Sequence, residues 1–375
     1  MHSLIFSASI INAKAVACIA ESFLGTYTFN NGSPGLFQSG YGAERKMAKL
    51  YYDEDADVGV LSDKTIAVIG YGNQGSAQAQ NLHDSGIDVV VGVREGGNSW
   101  ERAKSDGLSV SPIEHAAERA EIIHLLVPDE VQSKVYESSI KPYLREGKVL
   151  GFSHGFNITF RWIKPPEDID LIMVAPKGPG YMVRRLYEEG FGVPALVAVE
   201  QDFSGKAKEI ALAMAKAMRF TKPGVLETTF YEETTSDLFG EQVVLCGGVS
   251  ELIKVGFETL VEKGYQPEVA YFECLHELKL ITDLIQQGGL GFMWQMVSNT
   301  AEFGGRTRGS RIISEATKAE MKKIWDEIEA GKFAEEWRKE SDGGMKFLKE
   351  QREKEKEEQI EVIGRRIRAL FHTKS

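Results

Sequence analysis

The stretch KTIAVIGYGNQGSAQAQNLHDSG (64–86) constrains this chain more than any other. A β-branched apolar run ends in glycine, and Gly70, Gly72 and Gly75 then fall at G-x-G-x-x-G spacing. Glycines there allow a tight turn and a close approach of backbone to a pyrophosphate, which meets the N–H groups that open the next helix. The pattern carries weight because a strand precedes it and a helix follows, with Gly86 as the helix stop. Gly70, Tyr71, Gly72, Asn73, Gln74 and Gly75 are therefore candidate dinucleotide-binding residues. The plainer alternative is a glycine-rich turn without a ligand.

The alternation continues. Further strands are predicted at 88–93, 121–128, 148–153, 170–176 and 194–200, with helices between them. One of those helices opens with Ser111 as N-cap and Pro112 at its first position. This order predicts a doubly wound parallel sheet of Rossmann type. From about residue 229 strand signals stop, and the rest reads as helices. The expected division is a dinucleotide-binding domain at 47–228 and an all-α domain at 229–375. Residues 1–46 are apolar at first and then rich in Gly, Ser and Asn. They lack a basic n-region and carry Lys14 within the apolar stretch, so a poorly ordered extension is expected rather than a secretory signal.

A length of 375 residues suits two domains, and a formal net charge of −11 makes nucleic acid or an anionic membrane an unexpected partner. No apolar run is long enough for a membrane-spanning helix. Cys18, Cys246 and Cys274 show no CxxC spacing. Cys246 and Cys274 lie in apolar helical patterns and are expected to be small buried hydrophobes, which suits a reducing cytoplasm.

The second strand ends in VREGGNSW rather than in the Asp or Glu that accepts ribose hydroxyls in NAD enzymes. Arg94 and Ser99 suit a 2′-phosphate, so NADP(H) is the expected cofactor. Glu95 works against it. Two carboxylate pairs then stand out, Asp237 with Glu241 and Glu273 with Glu277. Residues at i and i+4 share a helix face, and these pairs sit in apolar surroundings that suggest burial. Oxygen ligands without His or Cys clusters suit Mg²⁺, and four carboxylates would neutralise two divalent ions. On spacing alone, solvated helix faces explain the pairs equally well.

The segments GFSHGFNI, MVAPKGPG, EETTSDLFGEQVVLCGG, AYFECLHELKLITDLI and SNTAEFGG resemble, in order, the motifs of ketol-acid reductoisomerase in its short, class I form. The resemblance runs from about Met47 to the C-terminal helix. A single helical unit argues for the short form, because the long form carries a duplicated one.

The resemblance implies a Rossmann domain followed by an interlocking, knotted helical domain. It implies conversion of 2-acetolactate to 2,3-dihydroxy-isovalerate, and of 2-aceto-2-hydroxybutyrate to 2,3-dihydroxy-3-methylvalerate, in branched-chain amino-acid synthesis. An alkyl group migrates first, with Mg²⁺ required, and NADPH then reduces the product ketone. By the same resemblance Asp237 and Glu241 bind metal, two Mg²⁺ per site with Asp237 bridging. Glu273 and Glu277 come from the partner subunit of a homodimer, and Glu277 is also expected to act in catalysis. Ser298 touches substrate, and His154 and Lys177 lie near the reacting centre. Gly180, which closes MVAPKGPG, joins the cofactor residues. One departure is Gly97, where several NADPH-using relatives carry a hydroxyl, so NADH use stays open. The rivals are a metal-free β-hydroxyacid dehydrogenase, which needs no carboxylate pairs, and a non-catalytic dinucleotide-binding regulator.

Overall fold

The computed structural model describes residues 48–372, so the extension expected at 1–46 and Cys18 lie outside the described residues. The strands run β1 Leu50–Tyr51, β2 Thr65–Ile69, β3 Asp88–Gly92, β4 Ser109–Ser111, β5 Ile122–Leu125, β6 Val149–Phe152, β7 Asp170–Pro176, β8 Ala195–Gln201 and β9 Val225–Glu227. They form one sheet in the order β1-β9-β8-β7-β6-β5-β2-β3-β4. The chain leaves β2 through β3 and β4 on one side, then returns through β5, β6 and β7 on the other. That reversal beside β2 is the crevice where open α/β sheets bind ligands.

The expected all-parallel sheet is corrected at two places. β8 pairs antiparallel with β7, and β1 pairs antiparallel with β9. A buried apolar run does not encode the direction in which its strand points. The short strands β1, β4 and β9, at or next to the sheet edges, carry too few residues to show a period. Ser111 is not a helix cap but the last residue of β4, paired with Gly92, and Pro112 takes the cap position of Ile113–Arg119. A residue before proline is pushed toward extended backbone, which suits a strand end.

Apolar layers cover both faces of the sheet, one holding Ile66, Val68 and Val91, the other Ala67, Ile69 and Ile123. After β9 the described chain is helical, beginning with Phe230–Gly240. That helix is fixed to the sheet. Phe230 is buried and meets Phe152 of β6 edge to face, with ring centroids 6.3 Å apart. Thr229 caps it by accepting from the Glu232 N–H. No helix among the described residues is long and apolar enough to cross a membrane.

Candidate active site

The glycine loop sits at the carboxyl end of β2. Gly70 has φ +103°, and a Cβ at Gly75 would fall 2.2 Å from the Gly70 carbonyl oxygen. Both glycines are therefore required by the turn. Gly72 faces open space and caps the helix Asn73–Asp84. Gly180 belongs to the same construction. A Cβ there would meet the Asn73 carbonyl at 2.1 Å, so the helix Gly180–Glu188 can approach the loop only because residue 180 is glycine.

Tyr71 is buried beneath the loop. Its hydroxyl donates to Asp106 at 2.7 Å and accepts from Gln80 at 3.2 Å, while Arg102 lies 5.3 Å from its ring centre. Arg94 is exposed at the end of β3, in a turn closed by the Gly97 N–H on the Arg94 carbonyl. Ser99 follows in the first turn of Asn98–Ser105.

A cavity of about 770 Å³ opens beside this loop. It joins Gly72, Asn73 and Gln74 to His154, Lys177 and the helix bearing Asp237 and Glu241. His154 follows β6 and Lys177 follows β7, so both stand at carboxyl ends of parallel strands. Lys177 Nζ donates to Glu233 and to Asp237, each at 3.0 Å. His154 Nδ1 lies 3.0 Å from Glu233 Oε2.

Glu233 holds this cluster and was missed from the sequence. It is 1% exposed and also accepts the Gly155 N–H at 3.1 Å. A signal was available: Glu233, Asp237 and Glu241 stand at i, i+4 and i+8, one turn more than the pair singled out. Gly155 permits the approach, since a Cβ there would lie 2.5 Å from Thr234 Oγ1.

The electrostatics follow from this geometry. Burial opposes charge on His154, yet the hydrogen bond and charge of Glu233, with Asp129 and Asp237, carry its pKa up to about 9. Burial also opposes charge on Lys177, and the two carboxylates overcome it and raise its pKa. Burial alone would raise the Glu233 carboxyl, but His154 and Lys177 hold it below the usual range. Glu241 is pushed up by burial and then by Asp237, and Asp129 chiefly by burial.

Four carboxylates (Asp129, Glu233, Asp237 and Glu241) thus face the two cations His154 and Lys177 around one cavity. The excess of two negative charges, at oxygen donors, fits a divalent hard cation. His154, Glu233 and Asp237 also bring one ligand atom each within 4.8 Å of one another.

Local backbone shape differs from the plain helix expected. Asp237 lies in the last turn of the α-helix Phe230–Gly240, and Glu241 opens a five-residue π turn, Glu241–Leu245, closed by the Cys246 N–H on the Glu241 carbonyl at 3.0 Å. Gly247 and Gly248 make this possible, because a Cβ at either would fall 2.1 or 2.0 Å from the carbonyl oxygen five residues back. The second pair carries the same device: Glu273 lies within the π turn Phe272–His276, and Glu277 follows it. Single π turns recur at functional sites.

The burial expected of the two carboxylate pairs is corrected, since Glu273 and Glu277 are exposed and Asp237 is only half-buried. Glu273 and Glu277, expected to come from the partner subunit, do not line the cavity of their own chain. Ser298 is also exposed and away from it, capping Asn299–Ile312 by accepting from the Ala301 N–H. Cys246 is exposed and lines the cavity, and Cys274 is half-buried against the apolar cluster of Phe257, Ala270 and Ile363, so neither is fully buried as expected.

Comparison with known proteins places this geometry. Residues 60–224 match the family model "Acetohydroxy acid isomeroreductase, NADPH-binding domain", and residues 230–373 match "Ketol-acid reductoisomerase, C-terminal domain". The chain is 60% identical over 325 residues to the ketol-acid reductoisomerase (NADP(+)) of Methanopyrus kandleri, covering 87% of this chain and 99% of that protein. It is 59% identical over 324 residues to the enzyme of the same name from Methanocaldococcus jannaschii, covering 86% and 98%. A solved NADH-preferring ketol-acid reductoisomerase from an uncultured archean is 56% identical, with TM-score 0.84, covering 87% of this chain and all of that one. With a Rossmann-type sheet, a helical C-terminal domain and both family models matched in order, the chain belongs to the ketol-acid reductoisomerase family and is an enzyme of that class, an isomerising oxidoreductase.

Proposed function

We propose that the enzyme converts 2-acetolactate, and 2-aceto-2-hydroxybutyrate, to the corresponding dihydroxy acids, with NADP(H) and two Mg²⁺ per site. The observation that carries this reading is the single cavity joining the glycine loop to His154, Lys177, Glu233, Asp237 and Glu241. When bound, Mg²⁺ would polarise the carbonyl and stabilise the alkoxide of the substrate, and NADPH would supply hydride. Asp237 and Glu241 would hold the metal. Lys177 and His154, kept charged by Glu233, would present protons and positive charge to the oxygens of the reacting carbons. Gly70, Tyr71, Gly72, Asn73, Gln74, Gly75 and Gly180 would shape the pyrophosphate seat, and Arg94 with Ser99 would meet a 2′-phosphate.

The reading also divides the chain near residue 228 and makes the active protein a homodimer. Glu273, Glu277 and Ser298 would reach the site from the partner subunit, with the helical domains interlocked. Exposed Val244, Leu245, Leu252 and Val255 support this, because one chain alone leaves that helical face uncovered. The family's biosynthetic role goes with a cytoplasmic location.

Oxidation of NADPH with 2-acetolactate, with and without Mg²⁺ and repeated with NADH, tests the reading. Turnover is expected only with Mg²⁺. Turnover that survives complete removal of Mg²⁺ contradicts it and favours a metal-free hydroxyacid dehydrogenase.

A further inference from the structure

A polar network runs from the cavity wall into the core, and its buried members Gln78 and His124 take no part in the proposed chemistry. Both are fully buried. Gln74 Nε2 donates to the Gly178 carbonyl at 2.9 Å, and Gln78 Nε2 lies 3.1 Å from Gln74 Oε1 and 3.0 Å from Ser153 Oγ. Gln78 Oε1 lies 2.9 Å from His124 Nε2, and Ser153 Oγ lies 2.9 Å from the Val174 carbonyl.

Two backbone carbonyls orient this network. Gly178 and Val174 oxygens can only accept. Gln74 must therefore turn its amide nitrogen to Gly178, which leaves its oxygen to accept from Gln78. Ser153 Oγ, which also lies 3.3 Å from Gln78 Oε1 and from His124 Nε2, gives its one hydrogen to the nearer Val174 carbonyl and accepts from Gln78. The Gln78 oxygen then faces His124, which must carry its proton on Nε2. His124 Nδ1 is left without a hydrogen-bond partner, beside Gly151, where a Cβ would come within 2.8 Å of it.

The members of this network are placed tellingly. Gln74 is in the glycine loop, Ser153 immediately precedes His154, and Gly178 immediately follows Lys177. We propose that Gln78 is a positioning residue that locks the glycine loop, the strand end bearing His154 and the turn bearing Lys177 into one unit. It sets the cofactor in register with the two cationic side chains. Half-satisfied buried networks are costly, so removing Gln78 frees three polar partners at once. The inference rests on the proposed reading of His154, Lys177 and the glycine loop.

The test is Gln78→Met, close in length and unable to hydrogen-bond, in the full chain with NADPH, Mg²⁺ and 2-acetolactate. Small misplacements at reacting centres cost roughly ten- to hundredfold in rate. The expected result is a kcat loss in that range, with the Kd for NADPH within about threefold of wild type. The primary isotope effect from 4-deuterated NADPH should rise, because hydride transfer depends on the alignment this network sets. Ser153→Ala removes a single hydroxyl and should shift kcat and the isotope effect in the same direction by less. It decides the matter if Gln78→Met does not fold. Unchanged kcat and isotope effect, whatever the melting temperature does, overturn the proposal, as does a loss confined to NADPH affinity. Wild-type protein that binds NADPH without turning over 2-acetolactate contradicts the functional reading instead. The network is then judged by imidazole ¹⁵N spectra. His124 as the Nε2–H tautomer, lost in Gln78→Met, supports it, and Nδ1–H in wild type overturns it.

Discussion

Lys177 Nζ lies 3.0 Å from a carboxylate oxygen of Glu233, a side chain only 1% exposed. The same carboxylate faces His154 Nδ1 at 3.0 Å. One buried anion therefore meets both cations at the cavity floor, and Asp237 on the same helix joins it at Lys177, 3.0 Å from Nζ, with Glu241 lining the same cavity.

Glu233→Gln should uncouple this arrangement. In metal-free protein the His154 pKa, held at about 9 in wild type, should fall toward 6.5, read by NMR titration of the imidazole. The sign follows from the raised folded value. The stabilisation from His154 is fully present below about pH 6.5 and disappears as pH rises through about 9, and Glu233→Gln should remove most of it. A His154 titration unmoved by the substitution contradicts the assignment.

Gly248→Ala tests the π turn. An added Cβ would press on the Val243 carbonyl oxygen at 2.0 Å, so the turn must shift and carry Glu241 with it. A loss of about 1–3 kcal/mol in stability is expected from such overpacking, together with weaker Mg²⁺ binding by calorimetry. Wild-type Mg²⁺ affinity in this variant would show that the turn does not place Glu241.

Arg94→Ala addresses cofactor choice. A charge-assisted hydrogen bond to phosphate is worth about 1.5–3 kcal/mol, so NADPH should lose roughly ten- to hundredfold in affinity while NADH changes little. Equal losses for both cofactors would remove Arg94 from the 2′-phosphate seat.

His124 offers a pH signature separate from the metal residues. Burial depresses its pKa to about 4 in the folded chain, against 6.5 for the free side chain. The unfolded chain then binds the extra proton between those values, so stability falls as pH falls, by about 1.4 kcal/mol per unit from 6.5 to 4. Urea midpoints across that window should show this slope, and His124→Leu should be flatter by the same amount. Equal slopes would mean that the imidazole is not held neutral.

What the sequence revealed, and what it hid, follows from the range of each interaction. Gly70, Gly72 and Gly75 were legible because their constraint is local backbone geometry. Asp237 and Glu241 were legible because helix spacing places them on one face. Glu233 was hidden because its partners, His154 and Lys177, stand 79 and 56 residues away and meet it only through the sheet. The direction of β8 and the π turn Glu241–Leu245 were hidden because they arise from packing and from close contacts at Gly247 and Gly248, not from apolar period. Glu273, Glu277 and Ser298 read as site residues by resemblance, yet one chain leaves them exposed and apart from the cavity.

That separation makes mixing the most direct test of the account's central claim, an active site completed by two chains. Inactive Asp237→Asn and inactive Glu273→Gln proteins are refolded together, and Mg²⁺-dependent turnover of 2-acetolactate is measured. In a mixed dimer one site receives both lesions and the other receives neither. Random assortment under two-fold symmetry should restore about a quarter of wild-type activity. No recovered activity, in a mixture shown to contain heterodimers, would contradict the shared site and require all four carboxylates to act within one chain.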